Sequence, residues 1–511
     1  MRNLSLLLLS SAMLAGCVAG PDYNGPPATA SDAVQRGSFV RAGNPALTHT
    51  PGLARWWEEL RDPLLTRLVE DALAYSPTLD QATARIREAQ AQLRQQRAGQ
   101  LPSVGAMATY LRADLPGVGI GTTGTENGEE TGASASGETS GGANSSLNFY
   151  NLGLSASWEP DLFGGLRRGV EQSRATIGAR TADLADAQVS LSAQVAQAYV
   201  NLRDVQERIR LNAASTRLQQ QQLDLTRQRE GRGTASRLDL ERLQNQLEGT
   251  QADAIPLGAQ RDEYLNQLAV LTGRTPGTLD ATLDTVAAIP LPPAAVPIGN
   301  PAALIAHRPD VRSAERQLAA STASIGVNKA KELPGIRFMG LLGLGGTSPG
   351  DVFDLDNLTT LIAPSLNWSF LDFGRNRAAT RVSEAQRDQA EATYRRAVLE
   401  ALGDAETALS RFGNTRAQLS QLARAEATAT RAATLNRQRV TAGTSTLIDQ
   451  LDIERQRLSA AIAVAQAKAQ LTQSYIAVNK ALGLGWSEPA SALSAGEGPS
   501  ATGAARRRSA S

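Results

Sequence analysis

The chain has 511 residues, 41% of them hydrophobic and 20% charged, with a formal net charge of +1. Near-neutral charge excludes the basic footprint of a nucleic-acid partner, and one Cys with two His excludes a disulfide framework or a Cys/His zinc cluster within one chain. The length suits two domains or one large repeat protein, and scarce aromatics (4%) favour extended helix over a bulky core.

Met1-Arg2 precedes a short apolar run and then Leu14-Ala15-Gly16-Cys17. A basic start, a short apolar core and small residues before a cut describe a secretory signal. Leu-Ala-Gly-Cys resembles a bacterial lipobox, which implies a signal peptide over 1–16 and a lipid on Cys17. No other stretch is apolar enough for a transmembrane helix, so any spanning must be by strands. Residues 17–55, rich in Pro, Gly and small polar types, read as an extended tether.

Trp56-Trp57-Glu58-Glu59-Leu60-Arg61-Asp62-Pro63 is expected to open a helix, with Pro63 in its first turn and Leu64, Leu65, Leu68, Val69 and Leu73 as its buried stripe. A second helix starts at Pro77 and stops at Leu101-Pro102. Two strands follow, over 104–111 and 150–158. In the latter Tyr150, Leu152, Leu154, Ala156 and Trp158 alternate with Asn151, Gly153, Ser155 and Ser157, as in a membrane β-barrel strand or an ordinary half-buried one. The loop between them, about 112–147, is of low complexity.

Trp158-Glu159-Pro160-Asp161-Leu162-Phe163-Gly164 leads into a helix over 164–229. Its apolar residues recur every seven (Leu184, Leu191, Ala198, Val205, with Val195, Leu202 and Ile209 offset), the spacing of a coiled-coil seam. Such a helix is roughly 100 Å long, which suggests a tube or strut. Gly231-Arg232-Gly233-Thr234-Ala235-Ser236 reads as a tight reversal with two Gly at positive φ. A return helix runs to about 271, interrupted at Pro256, and 276–301 is a Pro-rich connector.

The pattern then repeats. Trp158 and Trp368, Phe163 and Phe373, Gly233 and Gly443, and Asp239 and Asp449 are each separated by 210, whereas Pro77 and Pro309, and Pro102 and Pro334, are separated by 232. The surplus of 22 falls in the loop between strands, as a structural repeat predicts. The divisions are a first repeat at 56–275, a second at 302–489 and a tail at 490–511 that is expected to be disordered. The third strand's outer row is Ile336, Phe338, Gly340, Leu342 and Leu344. The fourth's is Ile362, Pro364, Leu366, Trp368 and Phe370. Four strands are too few to close a membrane barrel, since the smallest use about eight, so if these strands span a membrane several chains must share one barrel.

At these residues the chain resembles the TolC/OprM-type outer-membrane channels, in their NodT-like lipoprotein branch. The resemblance is carried by Trp56-Trp57-Glu58-Glu59-Leu60, the Trp158–Gly164 motif, Leu268-Ala269-Val270-Leu271-Thr272-Gly273, the run from His307-Arg308-Pro309-Asp310 to Leu318, and Leu371-Asp372-Phe373-Gly374. It implies an α+β membrane protein: a homotrimer with a twelve-stranded outer-membrane β-barrel, four strands per chain, continued by a long periplasmic α-helical barrel. It further implies a periplasmic adaptor and an inner-membrane efflux transporter as partners, contact with outer-membrane lipid, no cofactor and no metal.

The resemblance places acidic residues of the second reversal, Asp449 and Asp452, at the closed periplasmic end, where symmetry copies make a ring that attracts cations. From residue types alone these Asp could as well be a solvated helix face favoured by the dipole. Asp239 matches Asp449 and Arg242 matches Asp452, so Arg242 is a candidate lock partner. Some relatives carry an Arg where Ser445 stands, which leaves the locking contacts open. The reversals, with Gly231, Gly233, Gly443 and Thr444, are candidate docking tips for the adaptor, although any helical hairpin needs such a turn. His307 and His49 have no metal-ligating or catalytic context. The expected function is a passive exit duct for efflux. The rival is a lipid-anchored coiled-coil adaptor or spacer that does not span the membrane. A hydrolase lacks any catalytic constellation.

Overall fold

The computed structural model describes residues 18–50, 54–115 and 145–486. The signal sequence, Cys17, most of the first strand-strand loop and the tail lie outside the described residues. In chain order the elements are α1 (Ser31–Arg36), β1 (Leu47–Thr48), α2 (Pro63–Tyr75), α3 (Pro77–Ala98), β2 (Ser103–Leu115), β3 (Ser145–Trp158), α4 (Gly165–Gly231) and α5 (Arg237–Leu271). They continue with α6 (Asp280–Leu283), β4 (Val296–Pro297), α7 (Pro301–His307), α8 (Pro309–Ala330), β5 (Gly335–Gly346), β6 (Leu358–Asn367), α9 (Arg375–Thr441) and α10 (Leu447–Ala481). Helices α3 and α8 both have 22 residues, α4 and α9 both 67, and α5 and α10 both 35. Among the described residues no helix is long and apolar enough to cross a membrane.

The chain forms two compact units. The first comprises the described residues up to Asn24 with Gln90–Arg174 and Ala319–Asp388, and it carries one antiparallel sheet in the order β2-β3-β5-β6. Register puts Ala108, Leu152, Leu344 and Leu358 in one row across the sheet, and Ala106, Leu154, Leu342 and Thr360 in the next. Since directly paired residues share a face, one face is a continuous apolar surface. Leu152, Leu154 and Leu342 stand about half exposed on it. Aromatic pairs bound it: Tyr110 on Tyr150 at 4.9 Å between centroids, and Trp158 on Phe338 at 6.0 Å. On the opposite face Asn151 is buried over Gly343 and Gly345, where a Cβ at either glycine would crowd its amide.

Each hairpin is tied to the helix before it by the same device. The Trp158 indole donates to the Gln100 carbonyl at 3.1 Å, and the Trp368 indole donates to the Glu332 carbonyl at 3.3 Å. Trp368 and Phe370 do not extend the fourth strand, as the alternation suggested. β6 ends at Asn367, paired with Gly335; the next residue on the partner side is Pro334, which has no N–H to extend the ladder. The residues after Cys17 are fastened in this unit: Ala19 N–H donates to Phe163 O at 2.8 Å, and Arg168, buried, donates to Ala19 O at 3.2 Å and to Asp22 at 2.5 Å.

The second unit, Gly25–Ala89, Ala175–Leu318 and the described part of Gln389–Ser511, holds the main hydrophobic core. Trp56 and Trp57 lie in it edge to face at 5.8 Å, and Trp56 meets Tyr475 at 5.9 Å. The Trp56 stretch is a short 3-10 turn (Trp56–Leu60), and α2 starts only at Pro63. Asp62 caps it by accepting from Leu64 N–H and Leu65 N–H at 3.0 and 3.1 Å, a cap worth about 1 kcal/mol. Its other oxygen accepts the Tyr199 hydroxyl at 2.6 Å. The stripe of α2 is Leu65, Leu68, Val69 and Ala72, with Leu64 and Leu73 half-buried.

Two expectations are corrected in this unit, for the tether and for Pro256. The tether is not merely extended: it forms α1, buries Phe39, Ala46 and Leu47, and pairs β1 in parallel with β4, while Val40 N–H and Arg41 N–H donate to Glu406 at 2.7 and 2.9 Å. The connector 276–301 is clasped by side chains. Pro-rich backbone has few donors, so its carbonyls accept from side chains: Leu283 O from Gln206 and Thr285 O from Arg203, both at 2.6 Å, and Pro290 O from Thr472 at 2.6 Å. Pro256 does not interrupt α5. It and Ala252, whose carbonyl loses its helical donor, are both exposed, so water satisfies the oxygen.

Arg308 explains the His-Arg-Pro-Asp motif. Its buried guanidinium donates to Ala401 O and Ala481 O at 3.2 and 3.0 Å and pairs with Asp310 and Asp404, both at 2.9 Å. Beside it Gly483, at φ +70, packs against the Arg308 backbone, and Gly273, also at φ +70, packs on the Tyr75 carbonyl at the matching place. A Cβ at Gly273 would overlap that oxygen, whereas Gly277, at φ +91, has open space. Gly277→Ala should therefore cost about 1–2 kcal/mol for its left-handed backbone alone. Gly273→Ala should cost at least twice as much, read as the larger drop in thermal unfolding midpoint. Equal drops would show that the close approach carries no energy.

Candidate gate and docking site at the two helical hairpins

Helices α4 and α5, and α9 and α10, form two hairpins in the second unit. At the first, Thr234 N–H donates to Arg229 O and Gly233 N–H to Glu230 O, both at 2.8 Å. At the second, Thr444 N–H donates to Arg439 O at 2.9 Å and Gly443 N–H to Val440 O at 3.0 Å. This pair of bonds is a Schellman turn, which needs one left-handed residue. Gly233 and Gly443 supply it, both at φ +72. Gly231 is not a second such residue: it is the last residue of α4, and Thr441 holds its place in the second hairpin. Two arginines that the sequence did not single out close the turns. Arg229 and Arg439 reach the Thr234 and Thr444 carbonyls at 3.5 and 3.2 Å, and the threonine hydroxyls donate back to the arginine carbonyls at 3.0 and 3.2 Å.

Ser236 and Thr446 then cap the return helices. Their hydroxyls accept the N–H groups of Asp239 and Asp449, both at 3.1 Å, and donate to those carboxylates, both at 2.6 Å. In the second hairpin Thr446 N–H also donates to Asp449 at 3.3 Å, completing a capping box. The hydroxyl bonds hold both exposed carboxyls below the ordinary carboxylate range. The helix-start role weighed for these Asp is thus present in the chain itself. Asp452 pairs with Arg455 of its own helix at 2.9 Å. Arg242 is exposed and forms no ion pair among the described residues, acting on Asp239 only through its charge.

The interiors of the two hairpins differ. The first packs Leu223, Leu240 and Leu247 with Leu243. The second holds buried Asn436, Gln450 and Glu454. Ser445 Oγ donates to Asn436 Oδ1 at 2.8 Å, Asn436 Nδ2 to Gln450 Oε1 at 2.9 Å, and Gln450 Nε2 to Ala433 O and Glu454 Oε1, both at 3.2 Å. Glu454 also takes Arg437 at 2.5 Å and Arg457 at 2.7 Å. Burial alone would raise its carboxyl, but the bonds from Arg457 and Arg437 outweigh it and hold the group low. Aligning the two repeats could have exposed this set, since Gln450 and Arg457 stand where the first repeat has Leu240 and Leu247. Among the described residues no group of three His, Cys, Asp or Glu could hold a metal ion.

A family model described as outer membrane efflux protein matches residues 68–274 and 300–484. The chain is 28% identical to nodulation protein T of Rhizobium leguminosarum bv. trifolii over 94% of its own length and 97% of that protein. It is 30% identical to the pyoverdine export outer membrane protein OpmQ of Pseudomonas putida over 95% and 98%. Among solved structures it matches the outer-membrane channel OprN with a TM-score of 0.80 at 32% identity, covering 92% of this chain and 100% of that one. It also matches the MtrE outer membrane channel of Neisseria gonorrhoeae with a TM-score of 0.74 at 25% identity, over 92% and 98%. With a seam-spaced helical hairpin in each half and a sheet apolar on one face, the chain belongs to the outer membrane efflux proteins, and it is an outer-membrane channel of an efflux system.

Proposed function

We propose that the chain works as a homotrimer whose three four-stranded sheets close one twelve-stranded barrel in the outer membrane. The helices form a periplasmic duct that passes substrate delivered by an inner-membrane transporter through a periplasmic adaptor. The observation that carries this reading is the sheet. Its apolar face lies between two aromatic borders, and Tyr150 and Trp158, eight residues apart, are separated by about 27 Å along the strand, or about 20 Å once tilted. That is most of the roughly 25 Å apolar band of an outer-membrane barrel. β2 and β6 are outer strands with one partner each within the chain, and in hydrocarbon their free edges demand another strand. The spacer alternative leaves this face and these edges unexplained. The channel is not an enzyme on this reading, and needs no cofactor.

The chain is a duplication with repeats at 56–275 and 302–489, and Cys17 carries the lipid. The fastening of residues 18–22 beside Phe163 and Arg168 supports an anchor held close to the sheet's own unit. The hairpin turns, with Gly231, Gly233, Gly443 and Thr444, dock the adaptor. Asp449 and Asp452, repeated around the trimer axis, make the cation-attracting ring of the periplasmic gate, with Asp239 and Arg242 of the neighbouring hairpin as its counterparts. Asp449 is exposed and its capping bonds keep it charged, which suits a ring.

Purified protein in detergent should run as a trimer with a clear β contribution by circular dichroism; a lone subunit nearly devoid of sheet would sink the shared barrel. In planar bilayers Asp449→Ala with Asp452→Ala should raise basal conductance and weaken block by multivalent cations on the order of tenfold. Unchanged block would remove both residues from the gate. The Asp449 carboxyl lies below its ordinary value, so it stays ionised as pH falls through the usual carboxylate range. Its share of the block should persist from neutrality to about pH 4 and fade only below that.

A further inference from the structure

We propose that the buried chain Ser445–Asn436–Gln450–Glu454–Arg437 is the register lock of the second hairpin, fixing the rotation of α10 against α9 and so the placement of Asp449 and Asp452. Its functional consequence rests on the gate reading above; its structural content does not.

The case comes from comparing two tips built on one backbone plan. The paired helices have the same lengths, the turns match bond for bond, and the caps differ only in the Thr446 N–H bond to Asp449. The main difference is the filling. In the first tip Leu223, Leu240, Leu243 and Leu247 meet, and leucines re-seat after a small slide or rotation with little loss. In the second the matching residues are Ala433, Gln450, Ile453 and Arg457, while Thr226 is matched by Asn436 and Gln244 by Glu454. Every link in that filling has a direction. Gln450 gives its amide hydrogens to Ala433 O on α9 and Glu454 on α10, and takes Asn436 on its oxygen; Asn436 in turn takes Ser445 from the turn. Glu454, with its side chain 9% exposed, joins Arg437 of α9 to Arg457 of α10.

A shift of one helix past the other would break the three links that cross the hairpin, Asn436 to Gln450, Gln450 to Ala433 O and Arg437 to Glu454. It would leave buried amide groups unpaired, which costs more than displacing leucines; Glu454 would keep only the partners of its own helix, Gln450 and Arg457. Polar residues in an otherwise apolar seam specify register at some expense of stability. Here they flank the acidic pair: Asp449 immediately precedes Gln450, and Asp452 lies between Gln450 and Glu454.

The test uses the full-length channel reconstituted in liposomes with its hairpins facing trypsin. Cleavage after Arg439 should be about tenfold faster in Glu454→Ala, with cleavage at the first tip, after Arg229 or Arg232, unchanged. Asn436→Ala removes no charge and should shift the same site in the same direction, so it decides the matter if Glu454→Ala does not assemble. A graft of the first tip (Ala433→Leu, Gln450→Leu, Glu454→Gln and Arg457→Leu) should restore slow cleavage yet leave basal conductance altered, because leucines close the tip without fixing register. Wild-type cleavage in both single variants would overturn the lock, as would a slowly cleaved graft with wild-type conductance when the single variants do alter conductance. Faster cleavage at the second tip with wild-type conductance in the single variants would leave the lock standing and remove the gate reading instead.

Discussion

The constraint on which the rest depends is the row of unpaired backbone groups along β2 and β6. A sheet with one continuous apolar face is at home in hydrocarbon, but hydrocarbon offers nothing to an exposed N–H or carbonyl. Pro364, on the outer strand β6, has no N–H to offer a neighbouring strand. The free-edge groups need strands from elsewhere, and under the proposed function identical copies supply them at no cost in new sequence. On that proposal symmetry repeats everything else in the chain around the same axis, which would make a ring of two aspartates.

Duplication explains why so few kinds of contact recur so faithfully. A tryptophan indole ends each hairpin on the carbonyl of the helix before it. A left-handed glycine lets the end of each return helix press on the chain just before a proline-led helix, Gly273 on Tyr75 and Gly483 on Arg308. These are backbone-level constraints, and they survive divergence because only one residue type meets each. Where side chains merely fill space, the halves have drifted: Arg203, which clasps the connector, stands where the other half has Gly413.

Most of the architecture was legible because it is periodic. The seam spacing of α4, the alternation of β3 and the 210-residue offset each sum over many residues, so local exceptions cannot mask them. What was not legible is non-periodic. The tether reads as loop, since Phe39 and Leu47 are too far apart to make a pattern, and its pairing with β4 joins residues some 250 apart, as Leu47 with Val296. Pro256 reads as a break because a helix-breaking residue is judged without knowing that the freed carbonyl faces water. At the hairpin tips the acidic residues stood out by charge, while Asn436 and Gln450 did not. An amide in a polar-looking helix announces nothing until its partner across the hairpin is known.

Under the proposed function, the tips give a reason to place a capping carboxylate at a gate. An aspartate free to swing can fold back on a nearby arginine, as Asp452 does on Arg455, and its position is then set by a rotamer. Asp449 is held twice by Thr446, through the hydroxyl and the backbone, so its position belongs to the turn rather than to a rotamer. Its charge therefore follows the turn wherever the hairpin moves. On the proposed gate, coupling charge to backbone in this way means that a displacement of α10 changes the electrostatics of the opening together with its width.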